Sequence, residues 1–329
     1  MLAILGVTFP FFALVLCGYL AARREMLPLA AIPGLNSFVL YFALPAMLYR
    51  YSAQTPIAEL LDTALLSVYL LVAAIMITLT ILVTKRGRIG WNDAALGALV
   101  ATFPNVGFMG VPMLVAILGE VAAGPIIVIL AADMVVTSSV CIALSRLDGD
   151  AETAALPASA RLRQALRKAL RSVLGNPMAW SMVMGGVASA TGFHLPQALD
   201  KTVALLGNAA SPVALFTIGA VPARANMVSG QGRHAHAGWG SVWPVAVFKL
   251  VLHPLLAFGL GKVAQAAGLP LSDAVITVMT LAAALPSASN VSLLAERFGA
   301  DTARIARIIL FTTVAAFGSF ALVAGWMTG

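Results

Sequence analysis

The feature that most constrains this chain is its division into apolar runs of roughly 20 residues, the length an α-helix needs to cross a bilayer. About ten such runs fill the sequence, at roughly 2–22, 33–51, 60–84, 93–119, 124–145, 174–192, 198–221, 242–263, 272–296 and 302–326. Of the 329 residues, 60% are hydrophobic and only 10% are charged. A soluble domain carries roughly 25% charged residues. So few charges cannot cover a surface that faces water. The expected fold class is therefore all-α integral membrane, with ten transmembrane helices. A net charge of +7 would suit nucleic acid, but the basic residues fall in short groups between apolar runs. That is the pattern of cytoplasmic loops, and no nucleic-acid partner is expected. Cys17 and Cys141 lie inside separate apolar runs, which argues against a structural disulfide. In the first run, Arg23 and Arg24 follow the apolar stretch, whereas a signal peptide places its charge first. The run reads as a retained span. Leu16 is too large for the lipoprotein cleavage site that Leu14-Val15-Leu16-Cys17-Gly18 faintly resembles.

Lysine and arginine placement orients the spans. Odd-numbered loops hold Arg23 and Arg24; Lys85, Arg86 and Arg88; Arg146, Arg161, Arg163, Arg167, Lys168 and Arg171; Arg224 and Arg233; and Arg297, with Arg304 and Arg307 beyond. The even side has only Arg50, Lys201 and Lys262, each near a span end. This asymmetry puts odd loops in the cytoplasm and both termini outside. The fifth loop is the longest. It divides the chain into a first five-span unit (1–145), a linker (146–173) and a second five-span unit (174–329). Leu162, Leu166, Ala169 and Leu170 recur at helical spacing, largely opposite the linker's basic residues. A cationic interfacial helix and a solvated linker helix both fit.

Five is an odd number, so the second unit starts on the opposite side of the membrane. Homologous halves would then be inverted repeats. The fourth run contains Asn105-Val106-Gly107-Phe108-Met109-Gly110 and the ninth contains Asn290-Val291-Ser292-Leu293-Leu294-Ala295, with Pro104 and Pro286 before them. Pro45 and Pro222 are a further candidate pair. Proline removes a backbone donor and clashes with the preceding turn. With Pro104, Gly107, Gly110 and Pro112 in one run, a regular helix is hard to sustain. Freed backbone groups are tolerated in hydrocarbon only where protein or a hydrated cavity receives them. Broken helices also present half-helix N-termini suited to anions. Asn105 and Asn290, with the hydroxyls of Ser287 and Ser289, add polar groups at the same depth. Prolines also kink membrane helices without function, but two such sites in corresponding positions favour a binding site. The candidate substrate-binding set is Pro104, Asn105, Gly107, Pro112, Pro286, Ser287, Ser289 and Asn290.

Asp133 stands near the middle of the fifth run. A carboxylate there costs roughly 2.5–3.5 kcal/mol even on insertion scales, and calls for a partner, a cavity or a proton. Lys249 lies several residues into the eighth run, with His253 one turn on. Pairing with a carboxylate, attracting an anion and snorkelling to the cytoplasmic interface are all open to Lys249. Asp133 and Lys249 are the ion-coupling candidates, and His253 before Pro254 reads as structural. His234-Ala235-His236 lacks the further ligands a metal site needs. No nucleophile motif, phosphate loop or dinucleotide fingerprint is present, so neither an enzyme nor a cofactor is expected. Transport would instead draw on a gradient of protons or sodium.

Several of these segments resemble the auxin efflux carrier family: Asn105 through Pro112, Phe42-Ala43-Leu44-Pro45, Asn176-Pro177, Ser211 through Phe216 with Gly219, Lys249 through Pro254, and Pro286 through Asn290. The resemblance runs along nearly the whole chain in the family's order. The short fifth loop is similar to that of compact bacterial members, which implies a multi-pass protein of the bacterial inner membrane. The resemblance implies two inverted five-helix repeats with broken helices 4 and 9 crossing, as in bile-acid sodium symporters. Spans 1, 2, 6 and 7 would form a scaffold, often a homodimer, and spans 3–5 and 8–10 a moving transport domain in membrane lipid. It also implies alternating-access transport of a small organic anion, a dicarboxylate such as malonate or an auxin-like weak acid. A sodium-coupled symporter of larger amphipathic anions and a ligand sensor that moves nothing are the rival expectations. Asn290 stands four residues after Pro286, whereas Asn105 directly follows Pro104, so the two crossover segments are not equivalent.

Overall fold

Where proline enters a membrane helix, the turn before it loses a hydrogen bond and can widen or break. A computed structural model describes residues 2–28, 30–85, 89–147, 167, 174–229 and 239–328, and this rule recurs through it. A π-helical turn at Val39–Ala43 precedes Pro45, one at Val106–Gly110 precedes Pro112, and one at Phe248–Leu252 precedes Pro254. Each closes with an amide reaching back five residues, as Leu44 does to the Val39 carbonyl. A further π-turn, Asp133–Thr137, has no proline after it. There the Ser138 hydroxyl joins its own amide in donating to the Asp133 carbonyl, at 2.7 Å.

Chain order is as follows. Helix α1 is Leu2–Arg23. The second run is α2 (Ala31–Phe38) and α3 (Leu44–Gln54), joined by the first π-turn. Helix α4 is Thr63–Lys85. The fourth run is interrupted, with α5 (Trp91–Thr102) before the break and α6 (Val111–Leu118) after it. The fifth is α7 (Ala123–Ala132) and α8 (Ser138–Ser145). Helix α9 is Pro177–Thr191 and α10 is Gln197–Ser229. The eighth run is α11 (Trp243–Val247) and α12 (His253–Ala266). The ninth is again interrupted, with α13 (Asp273–Ala284) and α14 (Val291–Arg297), and α15 (Thr302–Thr328) follows.

Among the described residues, 7 segments are long and apolar enough to cross a membrane: Gly6–Arg23, Ala31–Gln54, Ile57–Lys85, Glu120–Ser145, Gln197–Val221, Trp243–Ala266 and Thr302–Thr328. The other three expected spans take different forms. Two are the interrupted runs. The third, α9, has 15 residues and is about 22 Å long at 1.5 Å per residue, short of a roughly 30 Å hydrocarbon core. The expected linker helix and the His234–His236 pair lie outside the described residues.

Local chemistry sets the helix ends. Asp62 Oδ1 caps α4 at the Leu65 amide (2.8 Å), Asn176 Oδ1 caps α9 at the Met178 amide (3.0 Å), and Ser272 Oγ caps α13 at the Val275 amide (3.2 Å). Along α4 the hydroxyls of Thr78, Thr80 and Thr84 donate to the carbonyls four residues back. Threonine thus stays in an apolar helix without an unmet donor. Close backbone approach needs glycine on α1 and α10. A Cβ at Gly18 would overlap the Phe216 carbonyl oxygen, and one at Gly219 the Val15 carbonyl oxygen. Small residues at such seams are how helices pack in lipid.

Two groups of contacts organise the fold. Helix α1 packs on α10, α9 on α3, and α3 on α10. Elsewhere α4 packs on α5, α12 on α13, α5 on α8, α13 on α15, and α4 on α12. Arg304 fastens this second group at one end. It is only 2% exposed, and its Nη1 donates to the Asp93 carbonyl at 2.9 Å. Asp93 Oδ1 in turn accepts the Asp301 amide at 2.7 Å. Gly97 leaves room for the guanidinium. Arg304 thus clamps the start of α5 to the start of α15, where sequence alone placed it as a charge marking the wet end of a span.

Candidate functional site

The two interrupted runs meet at their interruptions. Pro104 and Ser287 form an isolated antiparallel bridge. The Asn105 amide donates to the Pro286 carbonyl (2.8 Å) and the Ala288 amide to the Phe103 carbonyl (3.0 Å). The freed backbone groups can be followed one by one. Pro104 has no N–H to give the Val100 carbonyl, and the Ser287 hydroxyl serves it at 2.8 Å. Had α13 continued, the Ser287 amide would serve the Ala283 carbonyl. It turns instead to Thr312 Oγ1 at 3.3 Å, and Lys249 Nζ takes the Ala283 carbonyl at 2.8 Å. A buried backbone group left unpaired costs roughly 1–3 kcal/mol, which is the force behind these substitutions.

Lys249 is fully buried, so the snorkelling reading does not hold. Its ammonium also meets His253 Nδ1 at 2.9 Å, which gives His253 its structural role. The Tyr69 ring stands 6.4 Å, centroid to centroid, from that of His253. The Tyr69 hydroxyl donates to Asp133 Oδ2 at 2.7 Å. Asp133 is fully buried and its Oδ1 has no hydrogen-bond partner among the described residues. No ion pair joins Asp133 and Lys249 among the described residues. The two coupling candidates are instead ends of one buried polar series, Asp133, Tyr69, His253 and Lys249, that runs into the second break.

Two cavities are lined in part by residues of the two interrupted runs. One, about 260 Å³, reaches Phe103 and is lined by Asn290, Arg297, Asn176, Ser138 and Ser139. The other, about 410 Å³, reaches Pro112. The candidate residues therefore separate. Pro104, Asn105, Pro286 and Ser287 build the bridge. Asn290 faces the first cavity, and its Oδ1 is buried without a partner among the described residues. Pro112 faces the second cavity. Gly107 packs among Leu44 and Leu130. Ser289 lines a small apolar crevice with Val15 and Ile218.

Sequence reasoning missed Arg297, Asn176, Ser138 and Ser139 as cavity residues, and Thr102, whose buried hydroxyl has no partner among the described residues. Arg297 lies seven residues beyond Asn290 on the same helical face, a spacing that pointed to it. Asn176 stood out in the sequence only in the Asn176-Pro177 segment of the family resemblance. Chemically, the first cavity offers a guanidinium, two amides and two hydroxyls beside broken backbone. That set suits a carboxylate.

Known proteins share this sequence along nearly its whole length. Residues 3–324 match the family model described as membrane transport protein. A Rhizobium meliloti (strain 1021) protein, provisionally named a malonate transporter, is 30% identical over 95% of this chain and 92% of its own length. An uncharacterized transporter of Escherichia coli (strain K12) is 27% identical over 91% of this chain and 89% of its own. Auxin efflux carrier component 8 of Arabidopsis thaliana is 21% identical over 86% of each chain.

Proposed function

The chain belongs to the membrane transport protein family, and on that premise we propose that it is a secondary carrier of a small organic anion working by alternating access. It is a multi-pass membrane transporter and not an enzyme. The observation that carries the finer reading is the pairing of two broken helices beside a cavity of about 260 Å³ lined by Asn290 and Arg297. Broken helices at the midplane are where carriers of this architecture hold substrate and coupling ions. The cavity lies below the roughly 300–1,000 Å³ of sites for drug-sized ligands, which favours a small dicarboxylate over a large amphipathic anion. The name of the Rhizobium relative makes malonate the first candidate, and the Arabidopsis relative makes an auxin-like acid the second.

Ten crossings arranged as two inverted repeats, 1–145 and 174–329 about the linker, account for the contacts. Exchanging the halves turns the α1–α10 seam into the α9–α3 seam and the α4–α5 pair into the α12–α13 pair. In this reading α1, α3, α9 and α10 are the scaffold, through which a homodimer forms. The remaining helices move as the transport domain. Lysine and arginine placement supports cytoplasmic odd loops and external termini in a bacterial inner membrane. Asp133 is the proton-coupling group, because its unpaired oxygen is free to take a proton. Lys249 holds the second break through its bond to the Ala283 carbonyl, and no cofactor takes part.

The test is uptake of labelled malonate and indole acetate into proteoliposomes, with proton and sodium gradients imposed separately. Saturable malonate uptake driven by the proton gradient is the expected result. Stimulation by sodium alone would favour a sodium symporter. Ligand binding by folded protein without flux would make it a sensor.

A further inference from the structure

The second cavity is not needed to define the crossover, yet it holds a charge that asks for a partner. It measures about 410 Å³ and is lined by Arg50, Tyr51, Gln54, Asn208, Ser211 and Glu120 beside Pro112. Arg50 stands in the penultimate turn of α3 and is half-buried. Its Nε is buried with no hydrogen-bond partner among the described residues. Glu120 lines the same space, but no ion pair joins the two among the described residues. A guanidinium with a buried, unpartnered Nε near the end of an apolar helix is favoured by an anion that meets it.

Its planar fork suits a carboxylate better than any other small anion but phosphate. The amides of Gln54 and Asn208 and the Tyr51 hydroxyl provide donors around it, while the Ser211 hydroxyl already donates to the Phe108 carbonyl at 3.1 Å. Glu120 is exposed at the rim, where water screens it more than it screens the half-buried guanidinium. The cavity lies at the even-loop end of the molecule. The Asn290 cavity lies at the odd-loop end and has its own arginine, Arg297, exposed and without an ion pair among the described residues.

We propose that Arg50 is the carboxylate-binding residue of a second port for the transported anion, at the face opposite the Asn290 cavity. This rests on the carrier reading above. Each port then presents one guanidinium to the same ligand, and the crossover lies between them.

Two measurements on the full-length protein test it, with malonate as the probe. In proteoliposomes of known orientation, Arg50→Gln should raise the apparent KM for malonate at the even-loop face by roughly tenfold or more, as loss of a charge-assisted hydrogen bond implies. The KM at the odd-loop face should hold. Arg297→Gln should do the reverse, and Arg50→Lys should recover part of the loss. An unchanged KM in Arg50→Gln, or equal rises at both faces, would overturn the port. Calorimetric titration of detergent-purified protein keeps this separate from the carrier reading. Malonate binding weakened by Arg50→Gln, in a wild type that carries no flux, would leave Arg50 an anion-binding residue but overturn both the carrier and the port. Flux in the wild type with binding untouched by Arg50→Gln overturns the port alone. A wild type that neither binds nor carries malonate overturns the port as stated.

Discussion

The two breaks at the crossover solve the same problem with different chemistry. At the first, the carbonyl orphaned by Pro104 is met by a neutral hydroxyl, Ser287, from the other break. At the second, the carbonyl of Ala283 is met by the buried ammonium of Lys249, brought in from the eighth run. Asn105 is 2% exposed at the bridge, while the side-chain oxygen of Asn290 is left unpaired beside an open cavity. Halves alike in connectivity have thus become unlike in charge. The first break is a neutral hinge, and the second collects the cation, the open amide and the polar series leading to Asp133. Proline therefore fixes where the breaks fall, and side chains decide how each break is satisfied.

Substitutions that treat the two breaks alike should therefore give unequal results. Lys249→Met should cost the most, lowering malonate uptake by about a hundredfold, in line with the roughly 1.5–3 kcal/mol of a hydrogen bond to a charged group. Initial rates in proteoliposomes check it, and uptake within a factor of two of wild type would mean that the ammonium is dispensable. Asp133→Asn should come next. Uptake should persist down a malonate gradient but lose its response to an imposed proton gradient, read by a pH-sensitive dye. Ser287→Ala should show the smaller effect of the neutral break. It leaves the Val100 carbonyl unserved, so stability should fall by about 1–3 kcal/mol, with transport reduced only in proportion to folded protein. A thermal melt beside the flux assay separates the two. Should Ser287→Ala abolish flux in folded protein while Lys249→Met does not, the assignment of the two breaks is reversed.

The sequence made the breaks legible because proline and glycine act locally. Pro104 and Pro286 announce an interrupted helix wherever they stand, and the Asn-Val echo paired them. The family resemblance, carried by those segments, is matched over residues 3–324. Partners distant in sequence were not legible. Nothing near Asp133 names Tyr69, 64 residues away, and nothing near Lys249 names the Ala283 carbonyl. Arg304 looked like a span-end charge because its buried partner, the Asp93 carbonyl, comes from a helix more than 200 residues earlier. Widened turns before Pro45, Pro112 and Pro254 follow from proline chemistry. The one at Asp133–Thr137 rests on the Ser138 hydroxyl, which composition does not reveal.

The account stands most directly on Asn290. The decisive measurement is malonate uptake by Asn290→Ala in proteoliposomes, run beside Asn105→Ala, with melting curves and monodispersity confirming folded protein. Because the anion is placed at the open amide of the second break, uptake by Asn290→Ala should fall to background while its melting temperature stays within a few degrees of wild type. Undiminished uptake in folded Asn290→Ala would contradict the placement of the anion at the crossover.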